Sequence, residues 1–459
     1  MGLSLKWDIT YRCNLFCEHC INGNLLNNTK KEPSYEEMKQ IIDNFSEKTI
    51  DYIHLLGGEP TIRKNFIEIM HYLNMKKICF GFNTNGLTIG SYKILHAIGE
   101  LKMLRNIIFS IEGPMAEIND LIRGKEVFEK VLANLKKLIA YKMQNNLDYL
   151  RITVNTVVSQ ANKTHIMEMI KFCIGLGVDE LVFLQLIPEG NAQGKNMSLS
   201  FEDELKLITD IADIYPDIKE KIDIIPRFVR PMAIDYVKKV LQKEFPGVTH
   251  GCGAGTDFAY LSNQGDLYPC NLYRNTILED KNQEDVSLLN NSFDDIWKEN
   301  KYSDIFRYIN KSDYCQNIAP CNSCEHLRED CYLCPAELMA NPDQEIVMED
   351  CRQYYLLIEE HSQEKRRQLQ VIKSIIRESI FDEETYVLFN TETLETLSLN
   401  KEAYLIWDEL KTENSFNYDE IIKSIKEKYP FDDGDIEEVI DYLYECHYLE
   451  GVANVQRTA

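Results

Sequence analysis

Apolar and polar positions alternate in two different ways along the first half of the chain. Short apolar runs, often rich in β-branched residues, are followed by segments in which apolar residues recur at helical spacing. This succession is typical of βαβ units and predicts an α/β fold with a parallel sheet. We expect six strands, at residues 4–10, 52–56, 77–83, 106–111, 151–158 and 180–186. We expect helices between them, including residues 35–45, 65–73, 128–142 and 166–176.

The end of the chain follows a different pattern. Residues 353–379 are polar, with apolar residues at helical spacing near both ends, which predicts one connecting helix. After it, residues 386–390 and 394–399 alternate as a hairpin. Helical patterns then follow at residues 401–410, 418–428 and 434–446. A hairpin with three helices is a winged-helix layout.

Composition and charge narrow the class of protein. The 459 residues, 44% of them hydrophobic, are enough for about three domains with proper cores. The formal charge of −24 argues against nucleic acid and against anionic membrane surfaces, because both attract basic proteins. No run of about eighteen apolar residues occurs, and the N-terminus lacks the basic and apolar parts of a signal peptide. We therefore expect a cytoplasmic protein.

The excess of acid is large at the end of the chain. Residues 380–459 hold 6 Lys and Arg against 20 Asp and Glu, a net charge of −14. This predicts a separate acidic domain, and it argues against the nucleic-acid reader that a winged-helix layout would otherwise suggest.

The chain has 14 cysteines, which in a reducing compartment are expected to be metal ligands or buried small residues. Cys13, Cys17 and Cys20 come directly after the first predicted strand. Three thiolates at this spacing can hold three corners of a cubane iron-sulfur cluster and leave the fourth iron open. A zinc site is the alternative, but it needs a further Cys or His ligand that the run does not supply. A loop at the carboxyl end of a barrel strand lies on the catalytic face.

The cysteine spacing resembles that of the radical S-adenosylmethionine (radical SAM) superfamily, in which the amino and carboxylate groups of SAM bind the fourth iron. His19 stands where that family often has an aromatic residue. The resemblance implies a partial (β/α)6 barrel of TIM type and a 4Fe-4S cluster. It also implies reductive cleavage of SAM to methionine and a 5'-deoxyadenosyl radical that removes a hydrogen atom from a substrate.

Other motifs match the same family at the ends of predicted strands. Gly57-Gly58-Glu59-Pro60 resembles the GGEP motif, which holds the SAM amino group through close backbone approach and a carboxylate acceptor. Ser110 and Glu112 match positions that face the SAM ribose and carboxylate, although Asp is commoner than Glu there. Arg123 matches the arginine that pairs with the SAM carboxylate, and residues 188–191 resemble the stretch near adenine.

A second group of cysteines resembles the SPASM iron-sulfur extension. It consists of Cys252, Cys270, Cys321, Cys324, Cys331, Cys334 and Cys351, with gaps of six and two residues where five and three are usual. The resemblance implies one auxiliary 4Fe-4S cluster on Cys321, Cys324, Cys331 and Cys351, and another held in part by Cys252, Cys270 and Cys334. Either Cys315 is the fourth ligand of that second cluster or its iron is open. Two zinc sites are the alternative for this region.

The start of the acidic tail resembles PqqD-like domains. The stretch Leu397-Ser398-Leu399-Asn400 with Tyr404-Leu405-Ile406-Trp407 carries the resemblance. PqqD-like domains are recognition elements for ribosomally synthesised and modified peptides (RiPPs). They bind the leader of a precursor as an added strand at a sheet edge.

Together these resemblances predict four segments: a radical SAM core (1–228), a SPASM domain (229–352), a connecting helix (353–379) and a PqqD-like domain (380–459). They imply a peptide maturase that binds its precursor through the leader and accepts electrons from a low-potential donor such as flavodoxin or ferredoxin. The product is open, a thioether crosslink being one possibility, and no general base is identified. The rivals are a sulfatase-type formylglycine maturase and a non-enzymatic, zinc-containing peptide-binding protein. Asn271 stands where the sulfatase-type family has a catalytic aspartate.

Overall fold

The first strands of the chain build a parallel sheet in which one face is apolar and buried, while residues of the other face, such as Lys6 and Asp8, line a cavity. In β1 (Leu3–Thr10), for example, Leu5 and Ile9 are fully buried. This is the pattern of a sheet covered by crossover helices. The computed structural model describes residues 3–27, 32–45, 50–247, 253–272, 286–299, 321–326, 331, 349–371, 376–380, 385–391, 394–412 and 415–451. The chain divides into two units, Met1–Tyr355 and Leu356–Ala459.

The first unit contains a nine-stranded sheet. After β1 come β2 (Ile50–Gly57), β3 (Cys79–Thr84), β4 (Leu104–Ser110), β5 (Arg151–Val158), β6 (Glu180–Gln185), β7 (Asp223–Pro226), β8 (Phe258–Leu261) and β9 (Leu267–Tyr268). The strand order is β7-β6-β5-β4-β3-β2-β1-β8-β9, parallel except for the β8–β9 pair. The six predicted strands are all present, with ends shifted by at most two residues.

The expectation of only six strands was wrong, because β7 and β8 extend the parallel sheet at its two ends. Each is four residues long, too short for a hydrophobic period to show in the sequence. They become strands through pairing with β6 and β1. The result is an α/β barrel wall that is wider than the one predicted.

Helices follow the strands at the expected places. They are α1 (Tyr35–Asp43), α2 (Phe66–Met75), α3 (Tyr92–Glu100), α4 (Ala116–Arg123), α5 (Phe128–Gln144), α6 (Ile166–Leu176), α7 (Phe201–Ile218), α8 (Pro231–Lys239), α9 (Phe293–Glu299) and α10 (Glu349–Arg367). Local signals explain their starts: α1 begins at Ser34, which forms a capping box with Glu37. The α2 face packs on the sheet through Phe66, whose ring meets Phe82 edge-on at 5.1 Å.

Among its described residues, the second unit has two small antiparallel sheets and three helices, in addition to the end of α10. One sheet has the order β11-β12-β13 and consists of Ile376–Ile380, Thr385–Asn390 and Thr396–Asn400. The other has the order β14-β10-β15 and consists of Phe416–Asn417, Gln368–Val371 and Leu449–Gly451. The helices are α11 (Lys401–Leu410), α12 (Tyr418–Lys428) and α13 (Asp433–Glu445).

The predicted hairpin and three helices of this unit agree with the structure within two residues. Their N-caps are in the sequence: the side chains of Asn400, Asn417 and Asp432 each accept a backbone N–H of the helix that follows. Trp407 and Leu443 belong to the apolar core of the unit.

The connecting helix predicted at residues 353–379 was wrong in its second half. The helix ends at Arg367, and residues 368–371 and 376–380 are strands. A short apolar run fits either period, and distant strands decide between them. Here Leu369 pairs with Phe416 and Gly451, and Arg377 pairs with Phe389. Within the described residues, no helix is long and apolar enough to cross a membrane.

Candidate active site

The loop that carries Cys13, Cys17 and Cys20, called the cysteine loop below, follows β1, and the pair Gly57 and Gly58 lies at the end of β2. The two segments lie against each other at the carboxyl ends of these strands. The Gly58 amide donates to Thr10 O over 2.7 Å, and the Glu59 amide donates to Arg12 O over 2.8 Å. A Cβ added at Gly57 would lie 2.1 Å from Thr10 O, and one at Gly58 would lie 2.2 Å from Arg12 O. Gly57 also has a φ of +135°. Both glycines are therefore needed so that the two backbones can touch.

Two asparagine side chains brace the cysteine loop. Asn27 accepts the Cys13 amide at 3.1 Å and donates to Cys13 O at 3.3 Å. Asn191 donates its side-chain amide to Cys17 O at 2.8 Å and its backbone amide to Cys20 O at 3.0 Å. The loop at residues 188–191, which the sequence placed near adenine, thus packs on the backbone of the cysteine loop.

Glu59 is a buried carboxylate surrounded by neutral donors. It accepts the hydroxyl of Thr61 at 2.5 Å, the hydroxyl of Thr84 at 2.8 Å and the backbone amide of Asn85 at 2.6 Å. Burial raises its pKa, and these hydrogen bonds offset only part of that effect. Glu59 lines the cavity of the barrel. A cationic ammonium group in that cavity would supply the positive charge that the neutral donors lack.

Arg123, Glu112 and His19 form a buried charge cluster beside the cysteine loop. Arg123 donates to Glu112 Oε1 through Nε at 3.1 Å and Nη2 at 2.5 Å, while His19 Nε2 lies 3.0 Å from the same oxygen. The other oxygen of Glu112 accepts the Val157 amide at 2.8 Å. Burial opposes ionisation of Glu112, but the charges of His19 and Arg123 outweigh it and lower its pKa to about 2.

The structure corrects the expectation that Glu112 faces the cofactor. Its side chain is fully buried and does not line the cavity, whereas Arg123 does. Arg123 Nη1 lies 3.8 Å from Cys17 Sγ. Glu112 therefore holds Arg123 in place from behind. The two positions at which the chain departs from the family pattern, His19 and Glu112, are in contact with each other, and each departure has its explanation in the other.

A cavity of about 740 Å³ opens at this end of the barrel, a volume within the range of small-molecule sites. Its walls include the predicted site residues Cys13, Cys17, Cys20, Gly57, Gly58, Glu59, Ser110 and Arg123. The cavity wall also includes Asn155, which was not predicted as a site residue from the sequence. Asn155 lies opposite Ser110 in the β4–β5 register, and within the described residues its buried Oδ1 has no hydrogen-bond partner. An acceptor of this kind fits a ligand hydroxyl. The available signal was an asparagine in the middle of a strand rich in β-branched residues.

Cys17 is buried, Cys13 and Cys20 are partly buried, and the three thiols are close enough to affect one another's pKa. Burial raises the pKa of Cys13 and of Cys20 to about 11, and it also raises that of Cys17. The charges of Cys13 and Cys17 both raise the pKa of Cys20. Without a bound metal these thiols stay protonated, which makes them poor nucleophiles. A metal would deprotonate them on binding, so they suit metal coordination.

Among the described residues, the thiols of the two cysteine groups lie farther apart than the ligands of a single zinc ion. Sulfurs bound to one tetrahedral zinc lie about 3.8 Å apart. In neither cysteine group do three thiols, among the described residues, all lie within 4.8 Å of one another. The set that does, within the same part of the chain, is Asp235, Glu325 and His326, but the Lys239 ammonium bonds both carboxylates, at 2.9 and 2.8 Å. That set is an ion-pair network.

The structure brings together the four cysteines that were assigned to one auxiliary cluster. Cys351, in the first turn of α10, is partly buried, and its removal from water raises its pKa to about 12. Its neighbours Cys331, Cys321 and Cys324 raise it further, while Arg230 lowers it. Cys324 and Cys331 are held by backbone bonds from their amides to Cys321 O and His326 O, at 3.3 and 3.0 Å.

The other auxiliary group is described only in part. Cys270 is buried, and Asn271, directly after it, lines the barrel cavity. Cys252, Cys315 and Cys334 lie outside the described residues. The side-chain amide of Asn271 cannot serve as the catalytic base that a sulfatase-type formylglycine maturase would require.

Comparisons with known proteins agree with this geometry. Residues 7–173 match the radical SAM superfamily, and residues 252–325 match SPASM, an iron-sulfur cluster-binding domain. The chain is 25% identical over 338 residues to the mycofactocin maturase MftC of Mycolicibacterium smegmatis, covering 71% of this chain and 76% of MftC. It is 26% identical over 336 residues to the AdoMet-dependent heme synthase of Oleidesulfovibrio alaskensis, covering 70% of this chain and 81% of the synthase.

A solved structure shares the fold. Streptococcus suis SuiB bound to the precursor peptide SuiA superposes with a TM-score of 0.56 at 17% identity, over 74% of each chain. At this identity the likeness concerns the fold, and it supports the α/β barrel described above.

Proposed function

Because this chain is a radical SAM enzyme that uses SAM, a 4Fe-4S cluster and auxiliary iron-sulfur clusters, we propose that it matures a ribosomally synthesised precursor peptide. The observation that carries the proposal is the second unit, in which a three-stranded sheet and three helices follow the barrel and its cysteine extension. The names of two similar proteins, a maturase and a structure with a bound precursor peptide, point the same way. An enzyme that acts on a small molecule, such as the heme synthase, would not need a separate unit for binding a peptide.

The residues around the cavity divide the work of holding the cofactors. Cys13, Cys17 and Cys20 would bind three irons of the cluster, Glu59 the SAM ammonium and Arg123 the SAM carboxylate. Ser110 and Asn155 would bind ribose hydroxyls from adjacent strands. When bound, the cluster and SAM supply a 5'-deoxyadenosyl radical that removes a hydrogen atom from the peptide.

Glu112 and His19 act on the site indirectly. Their contacts keep the guanidinium of Arg123 at one place on the cavity wall, so that it does not have to be ordered when the ligand binds. The walls of the cavity would hold the substrate carbon beside the cofactor and limit side reactions of the radical. The electron needed for each turnover would come from a low-potential donor of the flavodoxin or ferredoxin type.

The auxiliary clusters are proposed with unequal support. The proximity of Cys321, Cys324, Cys331 and Cys351 supports one complete 4Fe-4S site. The second auxiliary cluster would use Cys270, Cys252 and Cys334, with Cys315 as the candidate fourth ligand. Because Cys270 directly precedes Asn271, which lines the cavity, this cluster would lie nearer the substrate than the other auxiliary cluster.

We propose that the second unit is a PqqD-like recognition element. Strand β13 is paired with β12 on one side, and no described strand pairs with its other edge. A leader peptide can add there as a fourth strand, with backbone hydrogen bonds for affinity and side-chain pockets for specificity. Attachment to the barrel raises the local concentration of the core peptide to roughly millimolar.

A truncation tests this division of labour. The chain should be ended after Arg367, because ending it near Ser379 would leave β10 and most of β11 without their partner strands. We expect the truncated enzyme to cleave SAM at an unchanged rate but to modify a full-length precursor at least about tenfold less efficiently. A precursor without its leader is the control, and both enzymes should treat it alike. Equal modification of the full-length precursor by both enzymes would refute the recognition role.

The bond formed is proposed to be a thioether. If the nearer cluster lacks a fourth protein thiolate, a substrate thiolate is the soft ligand that suits it, which would hold the sulfur close to the reacting carbon. Such a product has two hydrogens fewer than the precursor and one thiol that can no longer be alkylated. One hydrogen atom would go to the 5'-deoxyadenosyl radical, the thiol hydrogen would leave as a proton, and the remaining electron would pass to an auxiliary cluster. Mass spectrometry decides: modification that persists after every substrate cysteine is changed to alanine rules the thioether out.

A further inference from the structure

The second unit contains a groove between two of its helices that the barrel chemistry does not use. The groove has a volume of about 980 Å³ and lies between α11 and α13. Its apolar part includes Ile406 from α11 with Val439 and Tyr442 from α13. Tyr442 is 49% exposed, so its ring is accessible to a ligand in the groove.

The rim of this groove is acidic throughout. Glu402, Asp435, Glu438, Asp441 and Glu445 line it, and none of the described Lys, Arg or His residues does. The lysines whose ion pairs are known in this unit bind elsewhere: Lys411 to Glu378, Lys426 to Asp433 and Lys428 to Glu409. Within the described residues, Glu402, Glu438 and Glu445 form no ion pair.

The helical period explains why the acids and the apolar residues meet. In α13, residues 435, 438, 442 and 445 follow each other at intervals of three and four, so they share one face of the helix. Carboxylates at this spacing repel each other and weaken the helix. A partner that brings positive charge would remove this repulsion, whereas an acidic partner would increase it.

We propose that the groove binds a basic amphipathic peptide segment, with Lys or Arg side chains on the rim and an apolar side chain against Ile406, Val439 and Tyr442. This inference rests on the proposed function, in which the segment belongs to the leader of the precursor. It adds the chemical class of the leader: net positive, with at least one large apolar residue.

The position of the groove suits this occupant. Asn400, the last residue of β13, lines the groove, so a segment in it lies next to the end of the open sheet edge. The net charge of −14 over residues 380–459 attracts basic segments from a distance and speeds their association at low salt. Charge therefore selects the segment, and the apolar contacts hold it.

Binding of labelled model peptides to the intact chain tests the proposal. One probe alternates Lys with Phe and Leu, and the second has Glu in place of every Lys. We compare the wild type with a groove variant carrying Glu402→Gln, Glu438→Gln and Glu445→Gln. The matched control carries Glu420→Gln, Glu427→Gln and Glu437→Gln, which removes the same charge from exposed positions that do not line the groove.

We expect fluorescence anisotropy to show that the groove variant binds the Lys peptide about tenfold more weakly at low ionic strength, and the control less than about twofold more weakly. Added salt should narrow this difference, since the Debye length falls. Tyr442→Ala should weaken binding at all salt concentrations. Equal losses in the two variants, or equally tight binding of the Glu peptide, would overturn the proposal.

Failure of the proposed function has a different signature. The full-length precursor is titrated in parallel against the intact chain, the groove variant and the chain ended after Arg367. If the truncation abolishes precursor binding but the Glu peptide is preferred to the Lys peptide, the recognition role stands and the charge class is wrong. If the truncated chain binds the precursor as tightly as the intact chain, the recognition role itself is wrong.

Discussion

Two glutamates, one in each unit, gather positive charge and hydrogen-bond donors around themselves, but in opposite surroundings. Glu112 is fully buried and holds Arg123 and His19 beside the cysteine loop. Glu378 has a side chain that is 33% exposed, and it accepts from Lys411 at 2.7 Å, Trp407 at 3.0 Å and Tyr404 at 3.1 Å. The pKa of both carboxyls is lowered.

The difference lies in what water does to each cluster. A buried charge that loses its partner stays without solvation, whereas water replaces a lost partner at the surface. The barrel therefore keeps a few groups in fixed positions, which suits chemistry on one cofactor. The acids around the groove of the second unit remain largely in water, which suits selection of a partner by charge.

Removal of the cysteine triad should have the largest effect. We expect the wild type to carry three clusters, one that binds SAM and two auxiliary ones. Replacement of Cys13, Cys17 and Cys20 by alanine should abolish SAM cleavage and leave only the two auxiliary clusters. The reason is that only this triad is proposed to leave an iron open to SAM. Iron analysis and electron paramagnetic resonance of anaerobically reconstituted protein measure both. Full occupancy by zinc, with little iron, would contradict the cluster assignment.

Glu112→Gln should destabilise the first unit by about 3 kcal/mol, because it leaves the buried Arg123 without its anion. The pKa of Glu112 is lowered from 4.5 to about 2, so its ionised form stabilises the fold above pH 4.5, and this contribution is lost as the pH falls toward 2. The variant should lack this acid-dependent loss. Thermal unfolding between pH 3 and pH 7 measures it, with the exposed Glu117→Gln as control. Parallel curves for wild type and variant would contradict the buried ion pair.

Glu204→Gln should act in the opposite direction. Burial raises the pKa of Glu204 to about 7, and Tyr354 donates to it at 3.0 Å. Since its folded-state pKa exceeds its unfolded value, Glu204 stabilises the fold fully below pH 4.5, and that stability is lost as the pH rises through 7. We expect the variant to be more stable than the wild type at pH 8 by roughly 2 kcal/mol, with little difference at pH 5. Unfolding at the two pH values measures it, and a gain of equal size at both would exclude titration of Glu204 as the cause.

Glu378→Gln should have the smallest effect, less than about 1 kcal/mol, because its cluster is partly solvated. The loss should shrink further in high salt, whereas the loss from Glu112→Gln should not. Comparison of the two variants at low and high salt tests the contrast between the units directly. A salt-independent loss of stability above about 2 kcal/mol for Glu378→Gln would contradict the contrast between the two units.

The sequence was a good guide wherever the signal is local. Helix α11 was predicted with its bounds, because Asn400 caps it and its apolar residues repeat at helical spacing. Gly57 and Gly58 were recognised because a strand, a glycine pair and a carboxylate follow each other directly. β7, β8 and the first two strands after Arg367, β10 and β11, were missed, because each becomes a strand only through pairing with residues elsewhere in the chain.

By itself, the sequence determined the cysteine spacing, the alternation of strands and helices, and the acidic end of the chain, because each depends on residues close together along the chain. Only the tertiary structure decided that Glu112 stands behind Arg123 and that Asn155 faces the cavity. The physical reason is the same in each case. Burial and contact between distant segments set the charge and orientation of a side chain, and no pattern along the chain encodes which segments will meet.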